Sequence, residues 1–202
     1  KNCDWILDND VSNTSIGFES MLTNTTGDRN VAVGFKALKT MNVTDGSHTF
    51  NTAVGFAAGE LTTTGTDNTF VGANAGNAAT TASGCTLVGK SAGTAITTGG
   101  DNTGIGKQAL ENTTTGTSNT AVGKNALKAN TTGNYSVAVG ELALQANTTG
   151  QNVAIGQAAM IANTTGTGNV AIGTYDDNGL QPLKANTTGD HHVAIGTGAL
   201  SA

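Results

Sequence analysis

Asn152-Val153-Ala154-Ile155-Gly156 returns seventeen residues later as Asn169-Val170-Ala171-Ile172-Gly173. Working outward from these two copies, the closing Gly recurs at Gly17, Gly34, Gly55, Gly72, Gly89, Gly106, Gly123, Gly140, Gly156, Gly173 and Gly196. Seven of the ten intervals are 17 residues, one is 16, and the two of 21 and 23 carry insertions. A fixed period of this length identifies a stacked repeat array. Before each Gly stands Ile or Val, and two positions earlier Thr or Val, in all eleven copies. Between them lies a mostly small residue, with Phe70 and Leu87 as exceptions. Side chains alternate faces along a strand, and β-branched residues favour strands. Each copy therefore predicts one short strand, with a β-branched face and a small-residue face.

The Gly after each strand reads as a corner, since Gly reaches positive φ without a Cβ penalty. Ala or Ser follows three residues later in ten of the eleven copies, from Ser20 to Ala199, and often Leu or Met after that, as in Leu110, Leu127, Leu144 and Met160. This predicts a second short extended segment, with a helical turn as the alternative because Ala-Leu is a good helix pair. Asn-Thr-Thr-Gly then closes the unit, intact at Asn24, Asn130, Asn147, Asn163 and Asn186, and is a turn by its residue types. The fold class expected is all-β: a repeat solenoid, a parallel β-roll of about eleven 17-residue coils. Residues 1–12 are expected to form a cap or linker and 13–202 a single repeat domain, with insertions near 38–50 and 174–185. The small-residue strip is expected to pack against sister chains, most simply in a homotrimer with one column near a common axis.

Composition agrees with a thin repeat core. Of 202 residues 29 are Gly, one is Pro, and only 11% are charged, against roughly 25% in ordinary domains. The net charge of −5 and scattered basic residues argue against nucleic acid, which demands a basic stripe. No apolar run approaches a membrane span, so this segment is not expected to insert in a membrane. The start at Lys1-Asn2-Cys3 reads as an excised fragment without a signal peptide.

The repeat Asn-Val-Ala-Ile-Gly followed by a Gly- and Thr-rich turn resembles the head domain of the YadA-like trimeric autotransporter adhesins. It is also similar to fibre-protein repeats of phages and large viruses. The resemblance covers the chain from Asn13 to Gly196. It implies a trimeric left-handed roll, an extracellular place on a cell surface or virion, and a host cell-surface glycan or protein as partner.

No enzyme is expected, with no catalytic, cofactor or metal residues. Cys3 and Cys85 lie in different coils, and bridged Cα atoms sit within about 7 Å. His48, His191 and His192 lack zinc spacing. Asp8-Asn9-Asp10 and Asp176-Asp177-Asn178-Gly179 lack the distal Glu of a calcium loop. Insertions in repeat arrays form loops that often carry binding surface, which selects Asn42, Asp45, His48, Tyr175, Asp176 and Asp177 as candidate binding residues. One column is expected to be a structural Asn ladder: Asn13, Asn30, Asn51, Asn68, Asn102, Asn119, Asn152 and Asn169, with Cys85, Ser136 and His192 in the other copies. A sharper alternative puts these amides near a trimer axis, holding water or an anion. The function expected is a structural or adhesive fibre or head module displaying a receptor-binding face. The alternatives are a fibre spacer without its own binding site and an ice-binding protein using its repeated Thr pairs.

Overall fold

A computed structural model describes residues 12–44, 47–175 and 179–201. Eleven three-residue strands follow in chain order: β1 (Thr14–Ile16), β2 (Val31–Val33), β3 (Thr52–Val54), β4 (Thr69–Val71), β5 (Thr86–Val88), β6 (Thr103–Ile105), β7 (Thr120–Val122), β8 (Val137–Val139), β9 (Val153–Ile155), β10 (Val170–Ile172) and β11 (Val193–Ile195). They form one parallel sheet in sequential order, a β-solenoid, with no helix among the described residues. Register is strict, Ala121 against Ala138 and Val122 against Val139 for example. At about 4.8 Å per strand the sheet runs roughly 50 Å.

The two strand faces are unequal, but in the opposite sense to the one expected. The small residues point inward: Ala32, Ala53, Ala121, Ala138, Ala154 and Ala171 are fully buried. The β-branched residues flanking them point outward and are half-exposed or exposed on every strand. The reason is the width of the coil. Opposite each strand, Ala37, Ala109, Ala126 and Ala143, with Leu38, Leu110, Leu127 and Leu144, already fill the interior. A second layer of large side chains would overpack it.

That opposite segment is neither extended nor helical. From the corner Gly onward, alternate residues adopt left-handed φ, as at Gly123 (133°), Asn125 (58°) and Leu127 (50°). Within it Ala126 N–H closes a turn on Gly123 O, while Asn125 N–H reaches back to Lys107 O and Leu127 N–H forward to Ala143 O. The reversals aim successive N–H groups at opposite neighbours, so a turn ladder replaces the second sheet. Leu is a poor left-handed residue, costing about 1–2 kcal/mol there. Burial of its side chain, about 1.5–3 kcal/mol, offsets this.

The corner Gly positions stack on one another. A Cβ at Gly123 would lie 2.5 Å from Gly140 O, so only Gly fits. The two large residues in the inward column have matching vacancies. Leu87 packs where Gly93 replaces the usual Leu: a Cβ at Gly93 would meet Leu87 at 2.6 Å. Gly104, one coil on, makes room for both Leu87 and Leu110.

Candidate functional site

The Asn column lies immediately before each strand, where the chain turns into the sheet. Each buried amide holds the backbone of the following coil. Asn119 Oδ1 accepts from Ser136 N–H at 3.0 Å, and Asn119 Nδ2 donates to Gly133 O at 2.8 Å. Asn102, Asn152 and Asn169 repeat this on Asn119, Asn169 and His192 and on Gly116, Gly166 and Gly189. Asn51 and Asn68 do the same on Asn68 and Cys85 and on Gly65 and Ala82. Asn13 bonds Asn30 N–H and Gly27 O, and Asn30 Oδ1 takes Asn51 N–H. These amide groups face their own rod, engaged with its backbone. Ser136 keeps the pattern by donating to Gly150 O at 2.9 Å, and Cys85 Sγ lies 3.4 Å from Gly99 O. Burial pushes the Cys85 thiol above its ordinary pKa, opposed by its contact with the Asn102 backbone.

A second amide column escaped the sequence reading, which took Asn-Thr-Thr-Gly as turn chemistry only. Asn147 and Asn163 are fully buried, each bonding its own Gly three residues on. Asn163 Nδ2 also donates to Asn147 Oδ1 at 3.0 Å, and Asn186 Nδ2 to Asn163 Oδ1 at 2.9 Å. Nearer the N-terminus the same column is mixed, with Met41, Ala79 and Ile96 buried alongside Thr62 and Thr113, and Asn24 at its start. The recurrence of Asn in a fixed column was the available signal.

The first Thr of the Thr pairs inside the rod is engaged as well. Thr97 Oγ1 donates to Thr114 O, Thr114 Oγ1 to Thr131 O and Thr148 Oγ1 to Thr164 O, at 3.1–3.2 Å. In these coils the second Thr, Thr98, Thr115 and Thr149, stands exposed and the first is half-buried, while at the two ends of the rod Thr25 and Thr187 are exposed as well. The pairs therefore do not present two free hydroxyls per coil.

Of the candidate loop residues, Asp45, Asp176 and Asp177 lie outside the described residues. Asn42 Oδ1 accepts from Thr25 Oγ1 at 2.8 Å. His48 Nδ1 approaches both carboxylate oxygens of Asp28, at 2.7 and 2.8 Å. Phe50 sits beside it, its ring 5.8 Å edge-on from His48 and 5.4 Å beneath the Arg29 guanidinium. Tyr175 is exposed after β10. The first insertion joins β2 to β3 and the second joins β10 to β11, seven strands further on. At about 4.8 Å per strand they are separated by more than roughly 30 Å. The structure does not bring them into one site.

No protein-family model matches this chain, and neither a curated protein nor a solved structure does. Its surface must therefore speak for itself. One column there carries chemistry the sequence reading passed over, the residue just after each of the first eight corner Gly residues: Phe18, Phe35, Phe56, Ala73, Lys90, Lys107, Lys124 and Glu141. The three rings stack in line, 5.6 Å apart from Phe18 to Phe35 and 5.1 Å from Phe35 to Phe56, with interplanar angles of 14° and 5°. The Lys36 ammonium lies 5.1 Å over the Phe35 ring. A shallow depression of about 270 Å³ opens elsewhere, beside exposed Tyr135, over Gln151, Val153 and Gly168.

Proposed function

We propose that this chain is a structural module of an extracellular fibre or adhesive head, self-associated as a homotrimer and displaying its remaining surface to a host glycan or protein. One observation carries the self-association: the outward strip of Thr or Val and Val or Ile along all eleven strands. Roughly 50 Å long and about 10 Å wide, it exposes on the order of 500 Å², near the upper limit of what monomeric proteins leave uncovered. Every coil repeats it in register, so a sister chain can lie along its full length. Cyclic symmetry brings one such strip per chain to a common axis. The interface is thus the β-branched strip rather than the small-residue strip, which the core of each rod already buries. The order of three rests on the resemblance to trimeric adhesin heads.

Sedimentation in native buffer is expected to give three times the 20.0 kDa chain mass. Ile155 is exposed on the outward face, so Ile155→Lys is expected to yield folded monomers. A wild-type monomer would overturn the assembly. Adherence to cells or a glycan array then separates an adhesive head from a spacer, which binds nothing itself. Against ice binding by Thr pairs stand the hydrogen bonds that engage the first Thr; normal ice growth in a thermal-hysteresis assay is the expected result.

A further inference from the structure

We propose that the edge of the rod between Phe56 and Lys90 is a binding notch for an acidic sugar ring, seated at the level of Ala73. This rests on the adhesive reading above and names the chemistry of its ligand.

The first observation is a stack that stops. Phe35, between two rings, is 38% exposed, while the terminal Phe18 and Phe56 are 52% and 55% exposed. Phe56 has Phe35 on one face, and on the other the column continues with Ala73, whose methyl leaves that ring face open. The backbone does not stop: Ala57 N–H bonds Phe35 O, Asn74 N–H bonds Phe56 O and Ser91 N–H bonds Ala73 O, all at 2.8–2.9 Å. Ala73 is therefore a missing rung at fixed height, with Phe56 one coil below and Lys90 one coil above. The two flanking levels are roughly 10 Å apart. A flat ring placed midway takes up the spacing that the Phe ladder already shows.

The second observation is charge. Among the described residues, Arg29, Lys36, Lys39, Lys124 and Lys128 each pair with a carboxylate at 2.7–4.0 Å, and Lys184 donates to Gly179 O. Lys90 and Lys107 have no such partner. They stand exposed on adjacent coils, fixed in register by Gln108 N–H on Lys90 O. On a chain of net charge −5, two neighbouring unpaired lysines in the same column, two and three coils above Phe56, form a local site of opposite sign.

These features select the ligand. An aromatic face takes the apolar C–H face of a pyranose. An ammonium, a point donor on a flexible stem, takes a carboxylate or sulfate at the ring's rim. Half-exposed Asn74, adjacent to the notch, offers an amide for a sugar hydroxyl. A neutral sugar would leave Lys90 and Lys107 unused, and a simple anion would leave Phe56 uncovered.

The test is calorimetric titration of the native assembly with a galacturonate oligosaccharide and a neutral oligosaccharide of equal length, alongside adherence to a glycan array. Wild type is expected to bind the acidic oligosaccharide at least tenfold more tightly. Ala73→Phe continues the stack and is expected to weaken binding tenfold or more without lowering thermal stability. Lys90→Gln with Lys107→Gln is expected to weaken binding similarly and to reduce its salt dependence. Equal affinity for the neutral sugar, or variants that bind like wild type, would overturn the notch. A change in native mass on Ala73→Phe would also overturn it, because the column would then be an interface. If wild type adheres to the array and all variants adhere equally, the notch fails while the adhesive reading stands. If wild type adheres to nothing, both fail.

Discussion

Phe70 occupies the space left by Gly76, six residues on in its own coil, where a Cβ would lie 2.5 Å from the ring. Phe70 also covers Gly59 of the preceding coil, where a Cβ would lie 2.7 Å from the ring. Elsewhere the same interior is filled from the other side, by Ala121 facing Leu127 or Ala138 facing Leu144. The coil holds one large residue at this level, and either wall can supply it.

Phe70→Ala alone is expected to cost about 3–5 kcal/mol, and Gly76→Leu alone to be destabilising because the ring cannot yield. Together they recreate the Ala and Leu arrangement of the later coils. Urea denaturation of the double mutant should show a favourable coupling of about 1–3 kcal/mol. Strict additivity would mean that the two positions do not share one volume.

Asn119→Ala strands Ser136 N–H without a partner, while Gly133 O keeps only the Asn130 Nδ2 donor at 3.0 Å. Each buried unsatisfied group costs about 1–3 kcal/mol. Asn119→Ser should lose less, since Ser136 fills the same column with one hydroxyl. Hydrogen exchange at the Ser136 amide should accelerate in the Ala variant more than in the Ser variant. Equal exchange in both would contradict the role assigned to the amide.

Backbone conformation separates two kinds of glycine change. Gly123→Ala meets both a φ of 133° and a carbonyl at 2.5 Å, and should cost about 3 kcal/mol or more. Asp67→Gly runs the other way, because exposed Asp67 holds a φ of 60° in a column where Gly84 and Gly168 already stand. A small gain in melting temperature is expected, limited by the extra freedom Gly has when unfolded.

Cys85 predicts a pH dependence of definite sign. Its folded-state pKa is raised, so the folded chain keeps the proton at a pH where the unfolded chain releases it. Stability from this group is fully present below the ordinary thiol value, about 8.5, and falls as pH rises beyond it. Subtracting the urea stability of Cys85→Ser from wild type should isolate this decline. The native thiol should also resist alkylating reagents until the chain unfolds.

Much of this was legible in the sequence. The columns that placed Thr or Val two before each Ile or Val located all eleven strands, and the Gly period set their register. The facing of those strands was not legible. Large apolar residues ordinarily mark the inside, but a seventeen-residue coil is too narrow for both walls to be large, and the Ala-Leu segment fills it. The left-handed turns were hidden for a related reason. Leu127 and Leu144 do not announce positive φ, and only Gly59, Gly76 and Gly93 in the same column hint at it. At the surface, reading insertions as binding loops drew attention to His48 and Tyr175. The regular column from Phe18 to Lys124 carries the denser chemistry, and it emerges only when coils are laid on one another.

The Asn column gives the rod a direction. Asn119 reaches forward to the coil that follows it and accepts nothing equivalent in return, so the two ends of any length of rod are different. Within this column, a coil removed from the far end leaves an idle side chain that water can serve. A coil removed from the near end leaves a backbone N–H, Ser136 N–H in this case, whose only partner was the missing amide oxygen. Each finished coil is thus a template for its successor, and duplication of a seventeen-residue unit can lengthen the rod without any existing contact being redesigned.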